Sequence, residues 1–574
     1  MNVTRIVVAG YVGDLARATS EALLKRGYEV SLLPYPRLPE GAGGEGSSRI
    51  LCIPFAPSMS RRALARKEED LARLRSVLEW ALRSAVRRVV LPSHAIAYGA
   101  SMKNPGLLEE GRPTLLPKTS ADRRWLEAEN MLFSFSQSPS NPPRFSTAAI
   151  RLCTVLHPGE GDFAAKMLAG KTAVPMAGYD PQLQFMSLED AAEALASALA
   201  ADATGIFNAA AQGTVPIKAA LKAAVPIRIP VNGVIQKPVR TLLWRTGLAE
   251  YPGDAADRIK YNWTVSSKRA QDELGFQAQK TSSQALKQYL AKLGKGRPER
   301  IKDRYDEFGL DVEYMRRWAW WFEFLRKVYW RAEIEGMEHI PTAEPALLTA
   351  NHRGFMPFDG VIHRSAILEA KKRHIRFLVI PSLFKFPFLS DFLIKQGGVV
   401  ASQTNANKLF ARGELVGIFP EGINGAFRMF KGAYKIGEMS RNAFARMAIE
   451  NGVPLIPAAT IGHVEIFPIL ARVNSSFVVR HTGWPFLPIT PTFPLLPIPL
   501  PTKWHIRYLE PVPISGYAPS DATNPKVVNE LAETVRDVMQ RNIDEMLRRR
   551  KHIFFGNIFD HRKDASRRDS AGTG

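Results

Sequence analysis

Only two cysteines, Cys52 and Cys153, occur in 574 residues. Two thiols build neither a disulfide framework nor a cysteine-based zinc site, which fits a reducing compartment. Both fall in apolar, strand-like stretches, where a buried free thiol is expected. A long apolar run is also lacking. The most apolar stretch, Trp484 to Pro501, carries prolines at 485, 488, 491, 494, 497, 499 and 501. That density breaks the helical hydrogen bonding that a bilayer span requires. The amino terminus lacks the order of a secretory leader, a basic start, an apolar run and a small-residue cleavage site, and reads instead as a strand and a glycine turn. Zinc-finger spacing and RNP-type aromatic motifs are missing, so a nucleic acid has no reading head. The expectation is a cytoplasmic protein peripherally associated with a membrane, without a signal peptide, a transmembrane helix, a metal site or a nucleic-acid partner.

Positive charge, in contrast, is abundant: 77 lysines and arginines face 55 acidic residues, a formal net charge of +22. Such a surface draws anionic lipid head groups or acidic cofactors such as coenzyme A. An anionic membrane surface is the favoured partner, because basic residues gain from its negative potential. The chain is too long for one core. A charged, weakly periodic stretch between Leu293 and Leu310 marks the junction. The domains are therefore drawn as 1–295, a linker at 296–312, 313–552, and a basic flexible tail at 553–574.

In the first domain, short β-branched runs (Ile6–Ala9, Glu29–Leu33, Ile50–Ile53, Arg88–Leu91) alternate with helical segments (Leu15–Arg26, Arg62–Ser84). This alternation predicts an α/β, doubly wound parallel sheet. Pro39–Ser48, rich in Gly and Ser, reads as a mobile loop. Gly10-Tyr-Val-Gly13-Asp-Leu-Ala16 lies between the first strand and helix, where glycines let a pyrophosphate approach the helix start. With Ser93-His-Ala-Ile-Ala-Tyr98-Gly99, Phe185-Met-Ser-Leu-Glu-Asp190 and Ser267-Lys268-Arg-Ala-Gln-Asp-Glu-Leu-Gly275-Phe276, the region resembles the extended short-chain dehydrogenase or NAD-dependent epimerase family. The resemblance implies a Rossmann-like domain that takes NAD(P) at Gly10, Gly13, Ala16 and Ser93. It also implies a Tyr-x-x-x-Lys catalytic pair, whose positions here hold Ala121 and Trp125, and neither carries a proton. No acid closes the second strand (Val30-Ser-Leu-Leu-Pro34) to hold a ribose hydroxyl, although Arg37 could meet a 2′-phosphate. The domain is read as redox-dead.

The second half opens with Tyr314–Trp330, a helical stretch dense in aromatic and basic residues. It suits a head-group interface as well as packing on a core. Leu347-Leu-Thr-Ala-Asn351-His352 then reads as a buried strand ending in a polar pair, with Asp359 following. Gly417-Ile-Phe419-Pro420-Glu421-Gly422 and Gly452-Val-Pro454-Leu-Ile-Pro457 are two further strand–turn blocks. A histidine at a strand end with an aspartate nearby is the arrangement of an oriented general base.

The blocks NH…D, FPEG and PLIP, with the lead-in Glu335-Gly-Met-Glu-His-Ile-Pro341, resemble the glycerolipid acyltransferase superfamily, so the C-terminal half is expected to be an α/β acyltransferase domain. The resemblance implies that His352, paired with Asp359, deprotonates an acceptor hydroxyl that attacks an acyl thioester. The donor would be acyl-CoA or acyl-carrier protein. Asn351, Phe419, Pro420, Glu421, Gly422 and Arg428 would bind substrate or shape the site. Arg428, Lys431 and Lys435, close behind the FPEG turn, suit coenzyme A phosphates or lipid head groups as well as a solvated basic face. Two departures stand out. The family spaces His and Asp by four residues, whereas six separate His352 and Asp359, across a segment whose glycine and proline allow a bulge. Members with phosphorylated acceptors usually carry an arginine near the end of Gly397-Gly398-Val-Val-Ala-Ser402-Gln403, where Ser402 or Gln403 stands here. The acceptor is thus a lysophospholipid or a neutral glycerolipid. The competing readings are a non-catalytic lipid- or nucleotide-responsive scaffold and an active NAD(P)-dependent epimerase or reductase.

Overall fold

The computed structural model of the protein describes residues 4–34, 48–55, 64–84, 86–112, 114, 117, 119–136, 145–159, 162–246, 253–302, 305–354, 356–439, 442–496 and 498–559. Arg37, the expected mobile loop up to residue 47 and residues 560–574 of the expected tail lie outside them. The chain divides into two compact units, Met1–Leu310 with Pro387–Asp391, and Asp311–Phe386 with Phe392–Gly574.

The first unit is built on six parallel strands: β1 (Arg5–Gly10), β2 (Glu29–Pro34), β3 (Ser48–Ile53), β4 (Val86–His94), β5 (Ser146–Leu152) and β6 (Gly205–Ala209). Their order in the sheet is β6-β5-β4-β3-β1-β2. The order reverses between β1 and β3, which opens a crevice at the carboxyl ends of these strands. Ile6 and Val8 of β1, and Ile50 and Leu51 of β3, are fully buried. Helices α1 (Asp14–Lys25), α2 (Lys67–Arg83) and α3 (Ser120–Ser136) belong to this unit. α1 carries Asp14 in its first turn and Lys25 in its last, the charge placement that a helix dipole favours. Cys52 and Cys153 are both buried and are not joined in a disulfide.

The second unit starts with α4 (Val312–Phe324), capped by Asp311, whose carboxylate accepts from the amides of Glu313 and Tyr314 at 3.1 Å each. A π-helical turn, Leu325–Tyr329, follows. The aromatic stretch is split between two environments: Trp330 is buried and stacks on Trp504 at 4.8 Å, whereas Trp320 is 68% exposed. The sheet comprises β7 (Glu333–Glu335), β8 (Ala346–Ala350), β9 (Ile375–Val379), β10 (Val399–Val400), β11 (Leu415–Ile418), β12 (Leu455–Ile461) and β13 (His505–Tyr508). Its order is β7-β13-β12-β8-β11-β9-β10. Every residue of β8 is buried, and β8 pairs in parallel with β11 on one side and β12 on the other. β9 runs parallel to β11 as well. Four carboxyl ends therefore meet along one edge, which places Asn351-His352, the Phe419–Gly422 turn and Ile380 together. Among the described residues, no helix is long and apolar enough to cross a membrane.

Candidate functional site

β8 hands the chain to Asn351, whose amide Nδ2 donates to the Thr460 carbonyl at 3.0 Å while its Oδ1 accepts from the Thr460 amide at 2.9 Å. This two-point clamp onto β12 fixes the backbone from which His352 projects. The loop after His352 turns through Gly354, with φ of +89°, a conformation that favours glycine. It re-enters structure at α5 (Phe358–Lys371), with Asp359 in its first turn. The bulge returns the aspartate: His352 Nδ1 lies 2.5 Å from Asp359 Oδ2, and Oδ1 accepts from the Gly360 amide at 2.9 Å. Asp359 is buried, while the His352 side chain keeps 17% exposure. An ionised carboxylate only accepts, so Nδ1 carries the proton and Nε2 remains the basic nitrogen. The imidazole stacks on Phe419 at 4.7 Å, and Phe419 stacks on Phe377 at 5.2 Å.

Arg353, adjacent to the histidine, is the residue that motif reading missed. Its Nη1 donates to Glu421 Oε2 at 2.7 Å and to the His352 carbonyl at 2.5 Å, and Nη2 donates to the Lys435 carbonyl at 2.8 Å. Glu421 Oε1 accepts from the Gly437 amide at 2.7 Å. Both members of this ion pair are buried. It ties together the histidine segment, the FPEG turn and the loop beyond it. Gly422, in the left-handed region at φ +53°, begins the short helix α6 (Gly422–Ala426). Arg428 donates to the Lys435 carbonyl, so it braces the same loop.

A largely apolar cavity opens beside the pair. His352, Asp359, Phe419 and Gly422 line it together with Phe377, Phe427 and Trp484. Asn351, Pro420, Glu421 and Arg428 lie outside that lining. Among the described residues, no group of three or more His, Cys, Asp and Glu side chains is placed to hold a metal ion.

Behind the site, His363 of α5 lies 3.0 Å from the Tyr508 hydroxyl and 3.3 Å from that of Thr460, and burial pushes its pKa down to about 4. Protonation is thus easier in the unfolded chain, whose histidine titrates near 6.5. This contribution to stability is complete above about pH 6.5 and is lost as pH falls toward 4. It amounts to on the order of 3 kcal/mol. His363→Gln is expected to flatten the acid side of a plot of Tm against pH, and an unchanged slope would count against it.

In the first unit, Gly10 takes φ of +111°, and a Cβ there would stand 2.2 Å from the Ile53 carbonyl oxygen. The glycine therefore serves the close passage of β1 past β3. A cavity at the carboxyl ends of β1, β3 and β4 is lined by Gly13, Ala16, Ser93, His94, Phe55 and Trp125, among others. Ser93 Oγ donates to Glu129 at 2.5 Å, and Glu129 forms a buried ion pair with Arg151 at 2.6 Å. Asp14, at the helix start, is held by His157 Nδ1 at 3.0 Å. Ala121 is buried, and Trp125 packs edge-on against Phe55 at 5.2 Å.

Comparison with known proteins adds names to this geometry. The family model described as Acyltransferase matches residues 331–461. An uncharacterised protein of Mycobacterium leprae is 34% identical over 280 residues, spanning 47% of this chain and 76% of that protein. One from Mycobacterium tuberculosis is 36% identical over 258 residues, 44% of this chain and 72% of that protein. A bovine protein named as a DGAT1/2-independent enzyme synthesizing storage lipids is 30% identical over 215 residues, 37% of this chain and 59% of its own length. Among solved structures, UDP-N-acetylglucosamine 4-epimerase from Bacillus cereus covers 51% of this chain at 12% identity, with all of that chain matched and a TM-score of 0.35. A human epimerase family protein with NADPH covers 50% at 15% identity, with 99% of that chain matched and a TM-score of 0.38.

Proposed function

From the acyltransferase domain that the chain carries at residues 331–461, we propose that it moves a fatty acyl group from acyl-CoA or acyl-carrier protein to a hydroxyl of a lipid acceptor at a membrane surface. The observation that carries this reading is the 2.5 Å contact between His352 and Asp359 on the wall of an apolar cavity. Nε2 of His352 takes the proton of the acceptor hydroxyl as its oxygen attacks the thioester carbonyl. The new C–O bond forms, the C–S bond breaks, and the imidazolium returns the proton to the departing thiolate. Asp359 holds the tautomer and stabilises the imidazolium between the two transfers. The apolar wall suits a fatty chain, since burying each methylene contributes about 0.8 kcal/mol.

Exposed apolar residues support membrane contact. Leu495 is 91% exposed, and Leu496, Trp320, Val328 and Phe555 are also exposed. The proline-rich segment is hydrogen-bonded to the end of the aromatic stretch, with Tyr329 Oη donating to the Pro499 carbonyl at 2.6 Å and Trp330 Nε1 to that of Leu500 at 3.0 Å. Arg316 and Arg317 of α4 are exposed beside these aromatics. The test is transfer from labelled acyl-CoA, and then from acyl-carrier protein, to a panel of lysophospholipids and neutral glycerolipids on vesicles with and without anionic lipid. Product is expected from the wild type, more on anionic vesicles, and about a hundredfold less or lower still from His352→Ala. A folded wild type inert with every pair would favour the scaffold reading, and equal rates on both vesicle types would remove the anionic surface.

For the first unit the reading is NAD(P) binding without turnover. The Gly13 turn and the start of α1 present amides to a diphosphate, while Ala121 and Trp125 leave no proton-transfer pair. NADPH titration is expected to give saturable binding with no oxidation of the cofactor. Linear, unsaturable behaviour would remove NAD(P) from the assignment, and turnover would restore the reductase reading.

A further inference from the structure

Apart from the His352–Asp359 pair, the cavity wall of the second unit contains one other charged side chain, Arg364. Arg364 is on α5, five residues beyond Asp359, which is about 7.5 Å of helical rise and about 140° of rotation. It is 4% exposed. Among the described residues it has no hydrogen-bond or carboxylate partner, and its Nε is fully buried and unsatisfied. Its guanidinium lies over the face of Phe322 at 5.4 Å, and, after burial, its charge helps to hold the pKa of His374 down. Gln396 lines the same cavity, is 6% exposed, and has both its amide nitrogen and its amide oxygen buried without partners. A chain of contacts connects the two: Phe322 also packs against Phe392 at 6.0 Å, and Gln396 follows Phe392 by one helical turn.

A buried cation without a partner costs several kcal/mol, and an unmet carboxamide adds to that cost. Two such groups on the wall of one apolar cavity make an incomplete polar site. A planar guanidinium and an amide N–H are matched by an oxyanion, which the guanidinium can grip through two parallel hydrogen bonds. Burial lowers the Arg364 pKa to about 10, so the group is charged at neutral pH.

Resting on the acyl-transfer reading above, we propose that Arg364 and Gln396 bind an oxyanion carried by the lipid that enters the cavity, so that the acceptor is an acidic amphiphile and not a neutral alcohol. The positive charge missing at Ser402 and Gln403 is supplied from α5. The apolar walls take the chain, and the oxyanion fixes how far it enters and hence which hydroxyl reaches His352.

The test is binding, measured on the His352→Ala protein so that no turnover is required and a failed acyl-transfer reading leaves it intact. The probes, used below their micellar concentrations, are a lysophosphatidate, the monoacylglycerol of the same chain length, and the fatty acid and fatty alcohol of that length. The acidic member of each pair is expected to bind at least tenfold more tightly. Arg364→Met is expected to abolish that difference, Arg364→Lys to keep part of it, and Gln396→Leu to reduce it, with neutral-ligand affinity unchanged throughout. Preference for lysophosphatidate alone would identify a phosphate ester, and preference for the fatty acid alone a carboxylate. Equal affinity for acidic and neutral members, or equal loss of both in Arg364→Met, would overturn the proposal. Because removing an unpaired buried charge relieves a cost, Arg364→Met is also expected to melt no lower than its parent.

Discussion

His352→Ala is expected to lower kcat for acyl transfer by about 10²–10⁴-fold, the contribution of a positioned general base, with little change in KM. The base does not hold the substrate, so the loss belongs to the chemical step. Asp359→Asn is expected to fall in the same range for a different reason. A carboxamide that donates to Nδ1 moves the imidazole proton to Nε2, the nitrogen that must be free to accept. The imidazolium also loses the carboxylate 2.5 Å from Nδ1. Steady-state kinetics of both variants checks the pairing. If Asp359→Asn kept wild-type kcat while His352→Ala was inactive, the histidine would act alone and the bulged loop would have no catalytic consequence.

The second large effect concerns stability. Arg353→Leu leaves the Glu421 carboxylate buried without its cation, a change that costs about 3–5 kcal/mol in comparable pairs. It also releases the His352 and Lys435 carbonyls, so activity is expected to fall together with the melting temperature. Glu421→Leu strands the guanidinium and is expected to cost a similar amount. The double variant Arg353→Leu/Glu421→Leu is expected to recover part of the stability but not the activity, because the turn has lost its bridge to the Gly437 amide as well. Thermal unfolding of the three variants separates these terms. Additive losses in the double variant would mean that the two residues act independently, against the geometry.

The sequence announced the strands of the first sheet well. Ile6–Ala9, Glu29–Leu33 and Ile50–Ile53 fall within β1, β2 and β3. The apolar runs of β1 and β3 are buried, as parallel strands covered on both faces require, whereas β2 stands at the sheet edge and is exposed or half-buried along its length. The missing acid pair of the first unit was equally readable, since Ala121 and Trp125 need no geometry to be recognised as inert toward protons. In the second unit, the Asn351-His352 and FPEG blocks marked two of the strand ends that converge on one edge, whereas PLIP opens β12 at its other end. What motif order did not reveal was the use of individual side chains. Glu421 reads as a turn carboxylate free to meet a substrate, yet its partner sits 68 positions earlier in sequence, and no local pattern announces such a pair. Arg364 reads as one more basic residue on a helix of a basic protein. Only the packing around Phe322 reveals that it is enclosed. The helix expected over Tyr314–Trp330 ends as a regular α-helix at Phe324, because the following residues wind into a π-turn that delivers Trp330 to Trp504.

The loop between His352 and α5 bears on how relatives of this enzyme are found. A search string demanding a fixed number of residues between the base and its acid would discard this chain, although the two groups are in contact. The chain turns at Gly354 with a positive φ and still brings Asp359 back to His352. Insertions at that point change the spelling of the motif and leave its chemistry untouched. Catalogues compiled by spelling alone will therefore undercount enzymes of this design, and a distance filter of a few ångströms between imidazole and carboxylate would recover them.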